Sequence, residues 1–461
     1  MRHGSTGPDD VSFARLSNLL AARTQMAISL GFHILFSVVG IAMPLLMVIA
    51  EDRWIRERDE ASLLLARRWA QGTAILFAVG AVSGTVLSFE LGLLWPSFMA
   101  FAGPIFGMPF SLEGFAFFLE AIFLGIYLYG WDRVPPRAHW AAGVMVALSG
   151  AVSGVFVVLA NAWMNTPTGF RMVDGHAVDV DPWKAMNNPA APTEALHMTL
   201  AAYVAVGFAV AAIHAWRLLH EPDNLFHRRA LAIALWVGGV AAVLQPLSGD
   251  ISARQVAARQ PVKLAAMEGQ FRTERGAPLR ICGWPDEAAE RTRGAIEIPR
   301  GLSLLAFHDP DAEVKGLLSV PPADRPPVHV VHVAFQVMVA CGSALAAVAA
   351  LGGWLAWRRR GLPDQRWYLY TLVPCGPLGL VAVEAGWAVT EVGRQPWIVR
   401  GLIRTADAVT PMPALVVPLA TFTTVYVFLA FVVVFILRRQ VFASPRVVAP
   451  AQGRPAARPA V

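Results

Sequence analysis

Nine apolar segments, each long enough to cross a bilayer, limit what this chain can fold into. They lie at roughly 24–50, 70–95, 110–130, 139–162, 193–217, 229–249, 328–357, 367–391 and 411–437. Inside hydrocarbon every backbone N–H and C=O must be satisfied by the protein itself, so such segments are helices. Composition agrees: 56% of residues are hydrophobic and 15% are charged, against about 25% charged in a soluble domain. The chain reads as all-α, a polytopic membrane protein of nine transmembrane helices with a long connection between the sixth and seventh. The net charge of +6 reflects topology rather than nucleic-acid binding.

Arginine crowds the connections at 51–68, 131–138, 217–229 and 358–366 and the tail beyond 437, while the alternate connections hold few basic residues. By the positive-inside rule the crowded side is cytoplasmic. That places the N-terminus outside, the C-terminus inside, and the long connection outside. The expected organisation is helices one to six in 1–249, an external loop at 250–327, helices seven to nine in 328–443, and a disordered cytoplasmic tail at 444–461 rich in Pro and Ala. Met1–Leu20 carries acidic residues and no long apolar core, so no cleavable signal peptide is expected. Cys282, Cys341 and Cys375 are far apart, with no C-x-x-C-H and no C-x-x-C. Covalent c-type haem and a cysteine metal knuckle are therefore excluded.

Glu384 sits in an apolar span, where an unpaired carboxylate costs roughly 3 kcal/mol or more. His33, Glu113, Glu120, His197 and Met338 also lie within spans. Taken singly, each has a structural explanation: a lone His bonds a neighbouring helix, a lone Met packs, and Glu90 caps a helix or sits at an interface. Taken together they share a depth. At about 1.5 Å rise per residue, His33, Glu113, His197, Met338 and Glu384 all fall in the outer half, on the side of the long connection. Glu113 and His197 lie within about a turn of their span starts. Glu120 lies two turns further in. His, Met and Glu on separate helices of a bundle suit haem iron. A His/Met pair gives a six-coordinate electron carrier, and a single His or Glu leaves a position free for oxygen. Buried carboxylates relay protons. The long connection adds Lys263-Leu-Ala-Ala-Met-Glu268, expected on a helix lying against the membrane.

From about Ala22 to the end of the ninth span the chain resembles subunit I of the cytochrome bd-type quinol oxidases, and more closely the cyanide-insensitive, short-loop branch. The strings that carry this are Phe32-His33-Ile-Leu-Phe36, Glu113-Gly-Phe-Ala-Phe-Phe-Leu-Glu120, Tyr129-Gly-Trp-Asp-Arg133, Ala160-Asn-Ala-Trp-Met164, Lys263 to Glu268, Phe335-Gln-Val-Met338, and Glu384-Ala-Gly-Trp387 followed by Gly393-Arg-Gln-Pro-Trp397. The resemblance implies that His197 and Met338 are the axial pair of a low-spin haem b. His33 and Glu384 would be ligands of a high-spin haem b and of an oxygen-binding haem, either haem d or a third haem b. It does not assign one ligand to one haem. Glu113 and Glu120 would lie beside those haems on a proton route. Lys263 would bind a quinone oxygen, and Glu268 would accept a quinol proton. The implied activity is electrogenic oxidation of quinol by O2 in a bacterial cytoplasmic (inner) membrane, without pumping. The implied partners are a second polytopic subunit and a very small single-span one.

Three positions depart from the family's common pattern. Gln336 stands where many members carry Arg, Leu380 where several have Trp, and the interval from Glu113 to Glu120 is one residue short. The competing classes are a haem quinone reductase that does not reach oxygen and an ion-coupled transporter. The chain shows no internal repeat of the transporter kind.

Overall fold

The computed structural model describes residues 8–440 and Pro445, with side chains described from Asn18 to Arg439 and at Pro445. Apart from Pro445, the expected tail at 444–461 lies outside the described residues. In chain order the helices are α1 (Pro8–Glu57), α2 (Glu60–Leu94), α3 (Pro96–Tyr129), α4 (Pro136–Asn165), the short α5 (Pro182–Met186), α6 (Ala191–His220) and α7 (Leu225–Arg259). There follow the short α8 (Pro261–Met267) and α9 (Gly301–Phe307), then α10 (Val328–Arg359), α11 (Arg366–Cys375), α12 (Leu378–Val392), the short α13 (Thr405–Ala408) and α14 (Val416–Gln440). Among the described residues nine helical spans are long and apolar enough to cross a membrane, α11 and α12 together forming the eighth. Polar caps mark where some begin. Asp59 accepts from the Ala61 N–H at the start of α2, and Asn224 from the Phe226 N–H at the start of α7.

Three boundaries differ from expectation. Residues 96–109, expected as a connection, are the first turns of α3, which keeps Pro104 and Pro109 inside it. Proline is tolerated in membrane helices because neighbouring groups satisfy the freed carbonyls. The eighth span, expected as one helix, is broken between Cys375 and Leu378. Pro377 has no N–H to give and its ring crowds the carbonyl four residues back. The break lets α12 press on α6: a Cβ at Gly379 would stand 2.4 Å from the Ala205 Cα. Finally, α7 runs on to Arg259, so the long connection leaves the helix at Gln260.

The helices form two groups. In one, α1 packs on α2 and α4, and α3 on α4; in the other, α6 packs on α7, α11 and α12, and α10 on α7 and α12. Contacts of α6 with α1 and α4 join the groups, and α14 lies along α1 and α2. Where α6 crosses α7 the backbones meet, with a Cβ at Gly207 only 2.5 Å from the Gly238 Cα, as small residues allow in membranes. Among the described residues the strands form five short antiparallel pairs, all in connections, three of them within residues 274–314. The long connection folds onto the helix ends. Ala265, Met267 and Phe271 pack with Leu317, with Val328 and Val331 of α10, and with Val389 of α12.

Candidate functional site

Each candidate ligand faces a glycine on a neighbouring helix. Glu384 of α12 reaches α1, its Oε2 3.2 Å from where a Gly31 Cβ would stand. Its Oε1 is buried and finds no hydrogen-bond partner among the described residues. His33 lies two residues beyond Gly31, about 200° round the helix, and faces α2. Its Cε1 is 3.0 Å from the Cβ position at Gly84. Glu384 and His33 therefore stand on different sides of α1. His33 Nδ1 lies 2.9 Å from Ser83 Oγ, and Nε2 2.9 Å from Ser37 Oγ. The Ser37 hydroxyl also reaches the His33 carbonyl at 3.1 Å, so it can turn away and free Nε2.

The second group of helices holds the other pair. His197 of α6 faces Gly249 of α7, its Cε1 3.5 Å from the Cβ position there. Ser248 Oγ sits 3.0 Å from Nδ1, and the Gln245 amide nitrogen lies 3.2 Å from Nε2. Holding Nδ1 orients the ring and leaves Nε2 as the nitrogen to coordinate. Met338 of α10 places its Sδ 3.1 Å from the Cβ position at Gly386 of α12.

The carboxylates of α3 lie deeper. Glu113, expected within a turn of its span's start, stands nearly five turns from Pro96 because α3 begins earlier. Ser153 of α4 donates to it at 3.1 Å. Glu120 is buried between α1 and α4, 3.1 Å from the Cβ position at Gly150 and 3.5 Å from that at Gly40. Beside Glu384 an open apolar hollow of about 590 Å³ lies on the outer surface of the bundle, lined by Leu35 of α1, by Val333 and Val337 of α10 and by Leu380 and Val381 of α12.

The short helix α8 is tucked in rather than laid on a surface: Leu264, Ala265 and Ala266 are buried. Lys263 Nζ makes two long contacts, 3.3 Å to Asn165 Oδ1 of α4 and 3.4 Å to the Thr390 carbonyl of α12. Burial pushes its amine down to about 8, the Glu194 carboxylate opposing. Glu268 caps the C-terminus of α8. Burial pushes its carboxyl up to about 8, against the pull of Arg280. Its Oε2 finds no partner among the described residues. His332 of α10, six residues before Met338, donates from Nδ1 to the Met267 carbonyl at 2.8 Å. The acid and the base of α8 are thereby tied to the helices that carry Met338 and Glu384. Gln336, in place of the family's frequent Arg, bonds the backbone of Cys282 and Arg280 at 3.0 Å each and so joins α10 to the connection.

Sequence reasoning passed over several buried groups. Around Lys263 stand Glu194, Glu391 and Arg394, with Asn161 donating to Glu391. The spacing Glu194-Ala-Leu-His197 was a visible signal. At the opposite end of the bundle Glu51 of α1 bonds His139 of α4 at 2.7 Å, both buried. Glu90 is not a cap but lies at the interface of α2 with α1. It is buried, accepting from Gln25 and Ser29 of α1 at 2.9 Å each.

Comparison with known proteins gives a consistent picture. Residues 21–445 match the family model described as cytochrome bd terminal oxidase subunit I. The chain is 37% identical over 428 residues to a putative cytochrome bd menaquinol oxidase subunit I of Bacillus subtilis, covering 92% of this chain and 96% of that protein. It is 30% identical to the cytochrome bd-II ubiquinol oxidase subunit 1 of Escherichia coli, covering 84% and 88% respectively. The solved structure of the bd oxidase from Geobacillus thermodenitrificans matches with a TM-score of 0.87 at 39% identity, over 93% of this chain and 99% of that one.

Proposed function

The chain belongs to the cytochrome bd terminal oxidase subunit I family, and from that membership we propose that it is the haem-bearing, quinol-oxidising subunit of an oxygen-reducing oxidase in a bacterial cytoplasmic membrane. The residues fit haem. Flat macrocycles need room beside their ligands, and Gly31, Gly84, Gly249 and Gly386 keep that room open. The Oε1 of Glu384, without a partner among the described residues, and the open apolar hollow beside it suit a bound cofactor, whose sites are mostly apolar with few polar groups. His197 and Met338 would hold the low-spin haem b. His33 and Glu384, on different sides of α1, would each hold one of the other two haems: a high-spin haem b, and a haem d or third haem b. Haem supplies one-electron carriers and, where an axial position stays open, a place for oxygen.

The protein's own groups handle the protons. Lys263 donates a hydrogen bond to a quinol oxygen, and Glu268 takes the hydroxyl proton as general base. With the long connection outside, those protons leave on the outer face. Oxygen reduction takes up as many, drawn from the cytoplasm. On α3 Glu113, Glu120 and Tyr127 follow at seven-residue spacing along one face, and the Tyr127 ring packs, tilted, against His139 at the Glu51 end. That file supports a route inward from the cytoplasmic side. Electrons leaving outside and protons arriving from inside separate charge without a pump.

The exposed apolar faces of α3 (Phe115, Phe118, Ile122) and α14 (Phe428, Phe431, Phe435) support burial in lipid or against a second polytopic subunit, with a small single-span subunit as a further partner. The observation that carries this function is the tie of Lys263 and Glu268 to α12 and α10. Oxygen uptake by the purified complex with a reduced quinol tests it. We expect rapid uptake that His33→Ala abolishes. Quinol oxidation that proceeds only with an artificial acceptor would instead make the protein a quinone reductase.

A further inference from the structure

One face of α1 carries a polar seam. Gln25, Ser29, His33 and Ser37 follow at intervals of four and so share that face. Three residues on comes Gly40, where Glu120 Oε1 lies 3.5 Å from the Cβ position. At the other end stands Glu90 of α2, 1% exposed. The two carboxylates thus flank His33, along about 22 Å of α1 from Gln25 to Gly40. Beyond Gln25 the seam stops. Ala21 and Ala22 of α1 close there with Leu94 and Trp95 in a buried apolar cluster.

Glu90 has hydrogen bonds but no counter-charge. Gln25 Nε2 and Ser29 Oγ both donate to its Oε1, at 2.9 Å each. Such donors favour the anion. Its Oε2 is buried and finds no partner among the described residues, and neither do Gln25 Oε1 and the Tyr426 hydroxyl. Tyr426 of α14, also buried, lies against Ser29 and Glu90 and is the other titratable group among the described residues that faces this carboxylate. Among the described residues α1, α2 and α14 present no cation to it. A buried carboxylate in that position is costly when ionised unless a positive charge stands near. Ser29 is one turn from His33, so a haem on His33 brings its charge close. An oxidised haem core carries one net positive charge, and reduction removes it. Glu90 then has nothing to balance it, and its bare Oε2 is the place for a proton.

We propose that Glu90 takes up one proton on Oε2 when the haem held by His33 gains an electron, and releases it when that haem is oxidised. This rests on the haem reading above. The proton enters and leaves along the α1 seam from the Glu120 side, because the apolar cluster shuts the other end. One electron and one proton arrive together, so the buried charge is unchanged.

The test uses the purified complex, wild type beside E90Q and E90D. A wild-type spectrum without haem bands would end the haem reading itself. Given haem, reduced-minus-oxidised infrared spectra of wild type should show a protonated-carboxyl stretch that E90Q loses and E90D shifts. Rising pH withholds the proton and so disfavours the reduced state. The midpoint potential of one haem other than the low-spin one should therefore fall as pH rises. E90Q should flatten that slope and E90D should keep it, while the low-spin haem keeps its wild-type slope in both. The proposal is overturned if wild type gains no carboxyl band on reduction, a result that needs no variant. It is overturned equally if E90Q keeps the band or keeps every slope. If E90Q shifts every haem potential alike, or E90D behaves as E90Q does, Glu90 is only a structural link between α1 and α2.

Discussion

Glu268 and Lys263 are buried to nearly the same degree, yet burial moves them in opposite directions, the carboxyl up to about 8 and the amine down to about 8. Glu268 accepts a proton only when ionised, so quinol oxidation should rise as pH climbs through about 8. Lys263 donates as an ammonium, so quinol binding should weaken above about 8. A profile of kcat/KM against pH should be bell-shaped with its apex close to 8. E268Q should erase the acid limb and slow turnover about 100-fold or more; K263M should erase the alkaline limb. A profile flat between about pH 6 and 9 contradicts these roles. Both residues were legible in the sequence, because a basic and an acidic group frame an apolar run in a connection. Glu194 carried a signal in its spacing to His197, but its companions Asn165, Glu391 and Arg394 did not, since α4 and the end of α12 contribute them separately. Such a cluster exists only once the helices have packed.

At the scale of elements, spans were easier to read than their ends. Apolar length alone marks a membrane helix, but Pro and Gly carry a meaning learned from water. Residues 96–109 were expected as a connection, and α3 runs straight through them, with Gly103, Pro104, Gly107 and Pro109 inside the helix. In 374–377, Pro374, Gly376 and Pro377 were passed over, and there the helix breaks. What differs is packing: a Cβ at Gly376 would stand 2.8 Å from the Ala212 Cβ on α6, so the break seats α12 closely. Helix pairing also hangs on buried polar links. The Glu51–His139 bond joins α1 to α4, with side chains 0% and 2% exposed. Glu51→Ala should destabilise the protein by about 3–5 kcal/mol, because it strands a buried partner. Replacing both residues with apolar ones of similar volume should cost far less. Thermal unfolding in detergent measures both; equal losses from the two variants would show that the pair acts through something other than burial.

For the whole molecule, span number and chain order could be read from composition, but helix neighbours could not. A helix apolar on all sides carries little record of which face meets which partner. That is why the grouping of α6, α7, α10 and α12 around His197 and Met338, and the placing of His33 and Glu384 on two sides of α1, emerge only in three dimensions. Orientation is testable through the cysteines: Cys282 is exposed in the long connection, Cys375 is buried, and Cys341 lies midway along α10. A membrane-impermeant maleimide should label Cys282 in intact spheroplasts. Labelling confined to inverted vesicles would reverse the topology and with it the side on which quinol protons emerge. The central claim is that His197 and Met338 hold one haem while His33 and Glu384 serve others. The most direct measurement is the reduced-minus-oxidised absorption spectrum of the purified complex, wild type beside Met338→Leu. Wild type should show low-spin and high-spin haem bands, and the variant should lose the low-spin feature selectively. A wild-type spectrum without haem bands, or a variant whose low-spin band is unchanged, would contradict it.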